Sequence, residues 1–413
     1  MLNIKAISLT REEGKVRTLA RTTVEAVCGG DLHAWPETES FPRELMAALK
    51  SAGFYNIGMS EDYGGKNAST LAITECLTYL AAICPSTASI LNMHYSVMPL
   101  FKWAATPEQR AGAFKSTVEG KALLAAATSE KVSRGRVWHM DGYVEEREDG
   151  FAVTCSKSFV TGARDVDYFY IPARRSPTSA PRDIDLFLVR NGSAGIRYQG
   201  DWRAHGLRGT GSIPVEFDQV LTPKDHRFKG PGSGFALSGA FHLPYYLVGL
   251  AAVYQGIAEG AYKVVQQQLS GSSDASGASA YISDNHIQRT LGDMKSQLLA
   301  AKALLVRSAR LVDASAPVFA ELLSVDSLDS VIANNIDDDF FVDLLATKSF
   351  VCRTSNEVVE KAFSLCGGRA FRSGHKVEQL LRDVKAGSVM APANPVADMM
   401  IGKQVLNIPQ IWE

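Results

Sequence analysis

The chain has 413 residues, 46% apolar and 21% charged, with a formal net charge of −1. That length is enough for two or three domains with a sizeable buried core, and the near-neutral balance supplies no field that would draw it to nucleic acid or an anionic membrane. Six cysteines, at positions 28, 76, 84, 155, 352 and 366, form no CxxC and no histidine pairing at metal-ligand spacing. This predicts reduced thiols, no metal site and a cytoplasmic setting. Met1-Leu-Asn-Ile-Lys5 lacks the apolar segment and cleavage site of a signal peptide, and no apolar run approaches the roughly 20 residues that span a bilayer.

The first 120 residues read as helices. Phe41–Gly53 has apolar positions at 45, 46 and 49, Pro near its start and Gly at its stop. Tyr63-Gly-Gly-Lys66 is a turn. Thr70–Cys84 is an apolar-rich helix ending at Pro85, and Ser86–Trp103 is apolar enough to be buried. Thr106-Pro-Glu-Gln109 has the pattern of a capping box. Near residue 122 the character changes. Leu123–Thr128, Phe151–Cys155, Tyr168–Ile171, Ile184–Val189 and Ile213–Phe217 are strand-length runs with a period nearer two, punctuated by Gly, Pro, Ser and Asp. The charged stretch Asp141–Asp149 reads as a solvated loop or hairpin. From Gly232 the helical pattern returns. Leu243–Leu269 is long and rich in small residues, Gly271–Ala280 is a polar loop, and His286–Asp313, 337–367 and 377–383 carry further helices. Asp337-Asp-Asp339 reads as a helix N-terminus, where negative charge suits the dipole. The expected architecture is α+β: a helical domain over 1–122, a β-barrel-like domain over 123–230 and a helical bundle over 231–413.

Six segments, in order, carry a family resemblance. Phe41-Pro through Asp62-Tyr-Gly-Gly65 is similar to "FP…L…G…PxxYGG", Ala127-Thr-Ser-Glu130 to "LTEP", and Lys157-Ser-Phe-Val-Thr-Gly-Ala163 to "KxWITNA". Gly206-Leu-Arg-Gly-Thr-Gly-Ser212 is similar to "GxRGSxS", Cys366-Gly-Gly368 to "GGxG", and Leu381-Arg-Asp383 to "LRDA". Together they resemble the acyl-CoA dehydrogenase superfamily over nearly the whole chain. The resemblance implies FAD held between the β domain and a C-terminal four-helix bundle. A flavin ring needs an apolar wall and donors along its pyrimidine edge. Thr128 and Ser129 would supply that edge, Phe159 would stack on the ring, and Thr161 would donate a hydroxyl near N5. Read without the resemblance, Ser129 and Thr161 are polar strand residues and Phe159 is β core. Gly367 and Gly368 would serve the adenosine half of FAD, often in a neighbouring subunit; otherwise they are helix-end glycines. Arg382-Asp383 reads as a structural contact, and so does Glu130.

Three departures bear on chemistry. The family's usual base is the glutamate of "EGT" after "RDA"; here that position holds Ala391. At its second known location, early in the long helix, stands Tyr246, with no Asp or Glu between Gly232 and Gln255. The arginine of "RxxFG", which grips the FAD pyrophosphate in the family, has no counterpart after Val264, so reduced FMN from a flavin reductase is the alternative cofactor. Candidate acid–base groups are Tyr246 and, one turn earlier, His242, which could act near neutral pH; His94 lies on a helix that borders substrate in the family, and His205 reads as surface. Helix packing is the bland reading for Tyr245 and Tyr246. A branch of the superfamily performs monooxygenation with reduced flavin and O₂, needs no α-proton base, and in some members reads "HDP"; Met390-Ala-Pro392 shares only the proline. The expected function is oxidation of an acyl thioester, on CoA or a carrier protein, by a homodimer or homotetramer with an electron-transfer partner. The alternatives are a flavin monooxygenase and a redox-inactive flavin-binding or scaffold protein.

Overall fold

A computed structural model describes residues 10–28, 39–133, 139–271, 283–322 and 338–408. The N-terminal part is helical: α1 Arg11–Cys28, α2 Arg43–Ser51, α3 Thr70–Ile83, α4 Pro85–Pro99, α5 Pro107–Ala111 and α6 Lys115–Val118. Thr106 and Gln109 form the capping box that starts α5. Every residue of α4 is buried, so this helix is core on all faces. Pro99 ends its regular turns, and the chain widens into a π turn over Leu100–Ala104.

The middle of the chain is one seven-stranded mixed sheet. Its strands are β1 Leu124–Ala126, β2 Tyr143–Glu146, β3 Gly150–Val160, β4 Tyr168–Arg174, β5 Ile184–Arg190, β6 Ile196–Tyr198 and β7 Ile213–Pro223. Their order is β1-β4-β2-β3-β7-β6, with β5 paired on β4. The long antiparallel pair β3–β7 runs from Gly150 opposite Pro223 to Val160 opposite Ile213. The charged stretch 141–149 forms β2 and its turn into β3, the hairpin expected.

The C-terminal part comprises α7 Gly234–Phe241, α8 Leu243–Gly271, α9 Asn285–Leu322, α10 Asp338–Cys366, α11 Lys376–Val384, α12 Ala386–Val389 and α13 Asn394–Val405. α8 is the central helix, packed on α10, α3 and α4. Its small residues make this possible: a Cβ at Gly256 would lie 2.2 Å from the Thr78 carbonyl oxygen. Gly234–Leu269 is, by composition, long and apolar enough to cross a membrane, unlike the expectation above; 78% of its most apolar window is buried in the bundle. Cys76, Cys84, Cys155, Cys352 and Cys366 are free and buried. Most of the polar loop expected at 271–280 lies outside the described residues, as does Asp337; α10 starts at Asp338, where that acidic run predicted a helix N-terminus.

Candidate functional site

β1 hands on to a short segment that stays in register with the sheet: the Ala127 N–H donates to the Tyr170 carbonyl (2.9 Å). Thr128 and Ser129 follow, both half-buried, and the Ser129 carbonyl accepts from the Ser158 N–H on β3 (2.8 Å). The next side chain, Glu130, turns inward. It pairs with Lys157 at 2.7 Å, both buried, and accepts from the Asp141 and Gly142 N–H groups. Burial opposes the Glu130 charge, but Lys157 and these donors outweigh it and hold the carboxyl below its ordinary value. Glu130 is therefore an anchor inside the sheet.

Strand alternation then throws Phe159 outward, 63% exposed, with its ring edge-on to Trp202 at 6.4 Å. This is far more exposure than a β-core phenylalanine has, and it leaves a bare aromatic face one residue along from the Ser158 N–H that meets the Ser129 carbonyl. The neighbouring Ser158 hydroxyl is buried and has no partner among the described residues.

Three of the motifs interlock here. The Thr161 and Ser212 hydroxyls are 3.0 Å apart, Ser212 and Thr210 2.9 Å, and Thr210 donates to the Leu207 carbonyl at 2.9 Å. A carbonyl only accepts, so the Thr210 proton is committed there, Ser212 donates to Thr210, and Thr161 donates to Ser212. What Thr161 has left to offer a ligand is lone pairs, not the proton expected from the sequence. The Leu207 N–H in turn donates to Asp383 at 2.5 Å, and a Cβ on Gly206 would fall 2.3 Å from the Arg382 carbonyl oxygen, so only glycine allows this approach. Arg382 pairs with Glu378. Arg382 and Asp383 are thus both structural, fastening α11 to the 206–212 turn; exposed His205 contributes its carbonyl to Arg382.

The segment where the family's base would stand is held by Lys348 of α10. Its ammonium is buried and donates to the Met390 carbonyl (3.1 Å), the Pro392 carbonyl (2.8 Å) and Asn394 Oδ1 (2.9 Å). Sequence reasoning missed this lysine, because a single lysine in a helical run reads as a solvated face. Ala391, partly exposed between these anchors, presents only a methyl group.

The candidate bases line up from the sheet into α8. The Tyr170 and His242 ring centroids are 4.9 Å apart, and His242 and Tyr246 stack at 5.9 Å. His242 Nδ1 donates to the Ser96 carbonyl (3.1 Å). Burial pushes its pKa down to about 4, so at pH 7 it is neutral and a weak base, not the near-neutral group expected. Burial also raises the Tyr246 phenol above its ordinary value, which keeps it a hydroxyl. His94 is a structural clamp: Nε2–H donates to the Tyr55 carbonyl (2.6 Å) and Nδ1 accepts from the Leu124 N–H (3.2 Å). Both ring nitrogens are used by backbone. Gly367 and Gly368 lie away from these contacts. They follow the end of α10, exposed, Gly367 with φ +59°, and no atom lies within 4 Å of a would-be Cβ at either. The left-handed φ accounts for glycine at 367 as a helix-end residue, while the open space leaves both free to meet another molecule.

An exposed aromatic face, an orphaned buried hydroxyl, a half-buried Thr-Ser edge and a lone-pair-presenting threonine fit a planar heterocycle with polar edges. Among the described residues, no group of three His, Cys, Asp or Glu is placed to hold a metal ion.

Comparison with known proteins gives the same frame. Three domain models match in order: acyl-CoA dehydrogenase, N-terminal domain, over residues 10–121; middle domain, over 125–220; and C-terminal domain, over 248–395. The chain is 24% identical over 405 residues to the short-chain-specific acyl-CoA dehydrogenase of Clostridium acetobutylicum, covering 96% of this chain and 99% of that protein. Its fold is that of butyryl-CoA dehydrogenase from Megasphaera elsdenii (TM-score 0.83, 21% identity, 97% and 99% covered). It is also that of the dibenzothiophene monooxygenase TdsC from Paenibacillus sp. A11-2 (TM-score 0.78, 21% identity, 98% and 100% covered), which has also been solved with FMN bound. The three domain models together span most of the chain, and on that ground this protein belongs to the acyl-CoA dehydrogenase family.

Proposed function

We propose that this chain is a flavin-dependent oxidoreductase that oxidises an acyl thioester, on CoA or a carrier protein, at its α,β carbons. The observation that carries this reading is that the 157–163, 206–212 and 382–383 segments are tied together through Thr161–Ser212 and Leu207–Asp383 while the first of them leaves the ring of Phe159 bare. The flavin, FAD or alternatively FMN, would supply the hydride acceptor. Phe159 would stack on its ring, Thr128 and Ser129 would meet its pyrimidine edge, and Thr161, its own proton held by Ser212, would accept a hydrogen bond from N5–H of the reduced ring only. Lys348 fixes the 390–394 segment, on which Ala391 would offer the reacting carbons a methyl group in place of a carboxylate. With no carboxylate at 391 and Tyr246 held as a hydroxyl, substrates whose α-proton is already acidic are favoured, with the neutral imidazole of His242 the candidate proton acceptor and the Tyr246 hydroxyl stacked beside it.

The same carboxylate-free wall favours a second reading, a monooxygenase that takes reduced flavin and O₂ and needs no α-proton base. The exposed Gly367–Gly368 pair and the exposed apolar side chains Phe371, Val389 and Val405 support a homodimer or homotetramer in which one protomer reaches its neighbour's cofactor. Mass spectrometry of the released cofactor, then anaerobic titration with an acyl-thioester panel, tests the proposal. Loss of the oxidised-flavin absorbance supports the dehydrogenase. No loss with any thioester, together with O₂-derived oxygen in a product when reduced flavin is supplied, selects the monooxygenase. A colourless protein that takes up neither flavin overturns both.

A further inference from the structure

A cavity of 320 Å³ lies between α3, α4, α8, α9 and the π turn, within the size range of ligand sites. Thr128, Ser129, Phe159, Thr161 and Ala391 are all absent from its walls, so it is a compartment apart from the candidate flavin site. Its apolar side is formed by Ile73, Leu77, Met98 and Trp103. π turns are enriched at functional sites, and this one brings Lys102 into the wall beside Trp103. The Lys102 ammonium donates to the Gly58 carbonyl (3.0 Å) and to Asn67 Oδ1 (2.8 Å), and both of these residues also line the cavity. Both acceptors are neutral, one N–H is left over, and no carboxylate stands within ion-pair distance of the ammonium among the described residues. Burial pulls its pKa below the ordinary lysine value, and Asp313 offsets this only in part. A half-buried cation without a counter-charge is costly to keep.

Tyr245 of α8 adds a second donor to the same wall. Its hydroxyl is hydrogen-bonded to the Trp103 indole. An indole N–H only donates, so the hydroxyl accepts there and keeps its own proton to give. Burial raises this phenol above its ordinary value, so it stays protonated, and its proton has no acceptor among the described residues. The Lys102 ammonium lies 5.4 Å from the centroid of the same indole ring, so the two donors flank Trp103. The carboxylate in the wall, Asp313, is already answered. It accepts from the Thr70 and Leu71 N–H groups (2.7 and 3.4 Å) and from the Thr70 hydroxyl, with Arg310 close by. Arg310 itself holds Glu13 through two bonds of 2.7 and 3.0 Å. What the cavity lacks is therefore an acceptor that carries negative charge.

We propose that this cavity binds a small monocarboxylate with an apolar or aromatic body. The Lys102 ammonium takes the carboxylate, the Tyr245 hydroxyl is its second donor, and the body lies against Ile73, Leu77, Met98 and Trp103. An alcohol in the same place leaves the ammonium's charge unmatched, and an amine meets it as a like charge. Binding requires neither the flavin nor the oxidation proposed above.

The test is isothermal titration calorimetry on the full-length protein, with and without flavin. The probes are phenylacetate, 2-phenylethanol and 2-phenylethylamine, one ring with three different ends. Phenylacetate is expected to bind at least roughly tenfold tighter than 2-phenylethanol, the worth of a hydrogen-bonded charge, and the amine weakest of the three. Lys102→Met is expected to erase the preference for the acid, and Tyr245→Phe to weaken phenylacetate binding roughly fivefold. The alcohol or the amine binding as tightly as phenylacetate to the unaltered protein overturns the proposal without reference to any variant. So does a preference that survives Lys102→Met, or an affinity untouched by Tyr245→Phe. A yellow protein without preference for the acid sinks the cavity assignment alone. A protein that prefers the acid but takes up no flavin supports the cavity assignment and sinks the flavin reading alone.

Discussion

Lowering the pH from 7 to 5 is expected to cost this protein about 4 kcal/mol of unfolding free energy, chiefly through two histidines. His94 and His242 are buried, and burial lowers the pKa of each from 6.5 to about 4. In the unfolded chain each titrates near 6.5, so as pH falls the unfolded state takes up these protons first. The stability is whole above pH 6.5 and is lost progressively between 6.5 and 4. Integrated from pH 7 to 5, the difference is about 2 kcal/mol per histidine and about 4 kcal/mol for the pair. His375, lowered by burial and by nearby Arg369, adds in the same direction. The assay is urea unfolding followed by circular dichroism at pH 7, 6 and 5. His94→Gln keeps an N–H within reach of the Tyr55 carbonyl and His242→Asn keeps one for the Ser96 carbonyl, yet neither side chain titrates. Each is expected to remove about half of the pH dependence. A loss from pH 7 to 5 of under about 1 kcal/mol, or one that persists undiminished in the double variant, would refute the assignment of both rings as buried neutral clamps.

Three other perturbations separate structural from functional roles. Lys157→Met strands the Glu130 carboxylate inside the sheet and is expected to lower the urea-unfolding free energy by about 3–5 kcal/mol; adding Glu130→Gln should recover much of it. Phe159→Ala, at an exposed position, should change stability by under about 0.5 kcal/mol, yet weaken flavin affinity by about 1 kcal/mol, roughly fivefold, in equilibrium dialysis. Equal loss of both would make Phe159 a packing residue. Ala391→Glu places a carboxylate on the segment held by Lys348; oxidation of ordinary fatty acyl-CoA should appear above the unaltered protein's rate, and a spectrophotometric assay showing no gain would mean that 391 does not face the reacting carbons.

Much of the fold is legible in the sequence because it depends on periodicity. The helix at 43–51, the capping box at Thr106 and the run of small residues in α8 announce themselves, and so do the long apolar strands. The short strands do not. β6 is three residues, Ile196–Tyr198, with no alternation to read, and it exists because β7 offers it a ladder. α9 runs on to Leu322 where the sequence suggested a stop near Asp313, because that aspartate lies inside the helix and faces the N-terminus of α3 across the bundle. The motif residues of the candidate site are legible as a set, but their directions are not. Which way the Thr161 proton points follows from the Thr210–Leu207 bond, a contact between residues three apart in the turn before β7. Asn92, His94 and Lys348 look like ordinary polar positions in helical runs. Only tertiary packing makes one a sealed amide without a hydrogen-bond partner among the described residues, one a backbone clamp and one a loop anchor.

The bond from Leu207 to Asp383, and the glycine at 206 that lets the two backbones touch, make the sheet and the last third of the chain parts of a single vice. The jaw that carries Thr161 is set by residues some 220 positions downstream in sequence. A nascent chain that has finished its sheet but not yet α11 has an aromatic plate with nothing to true it. Flavin uptake is therefore expected to need α11 in place, and a chain cut before Lys376 is expected to bind flavin more weakly than the full chain.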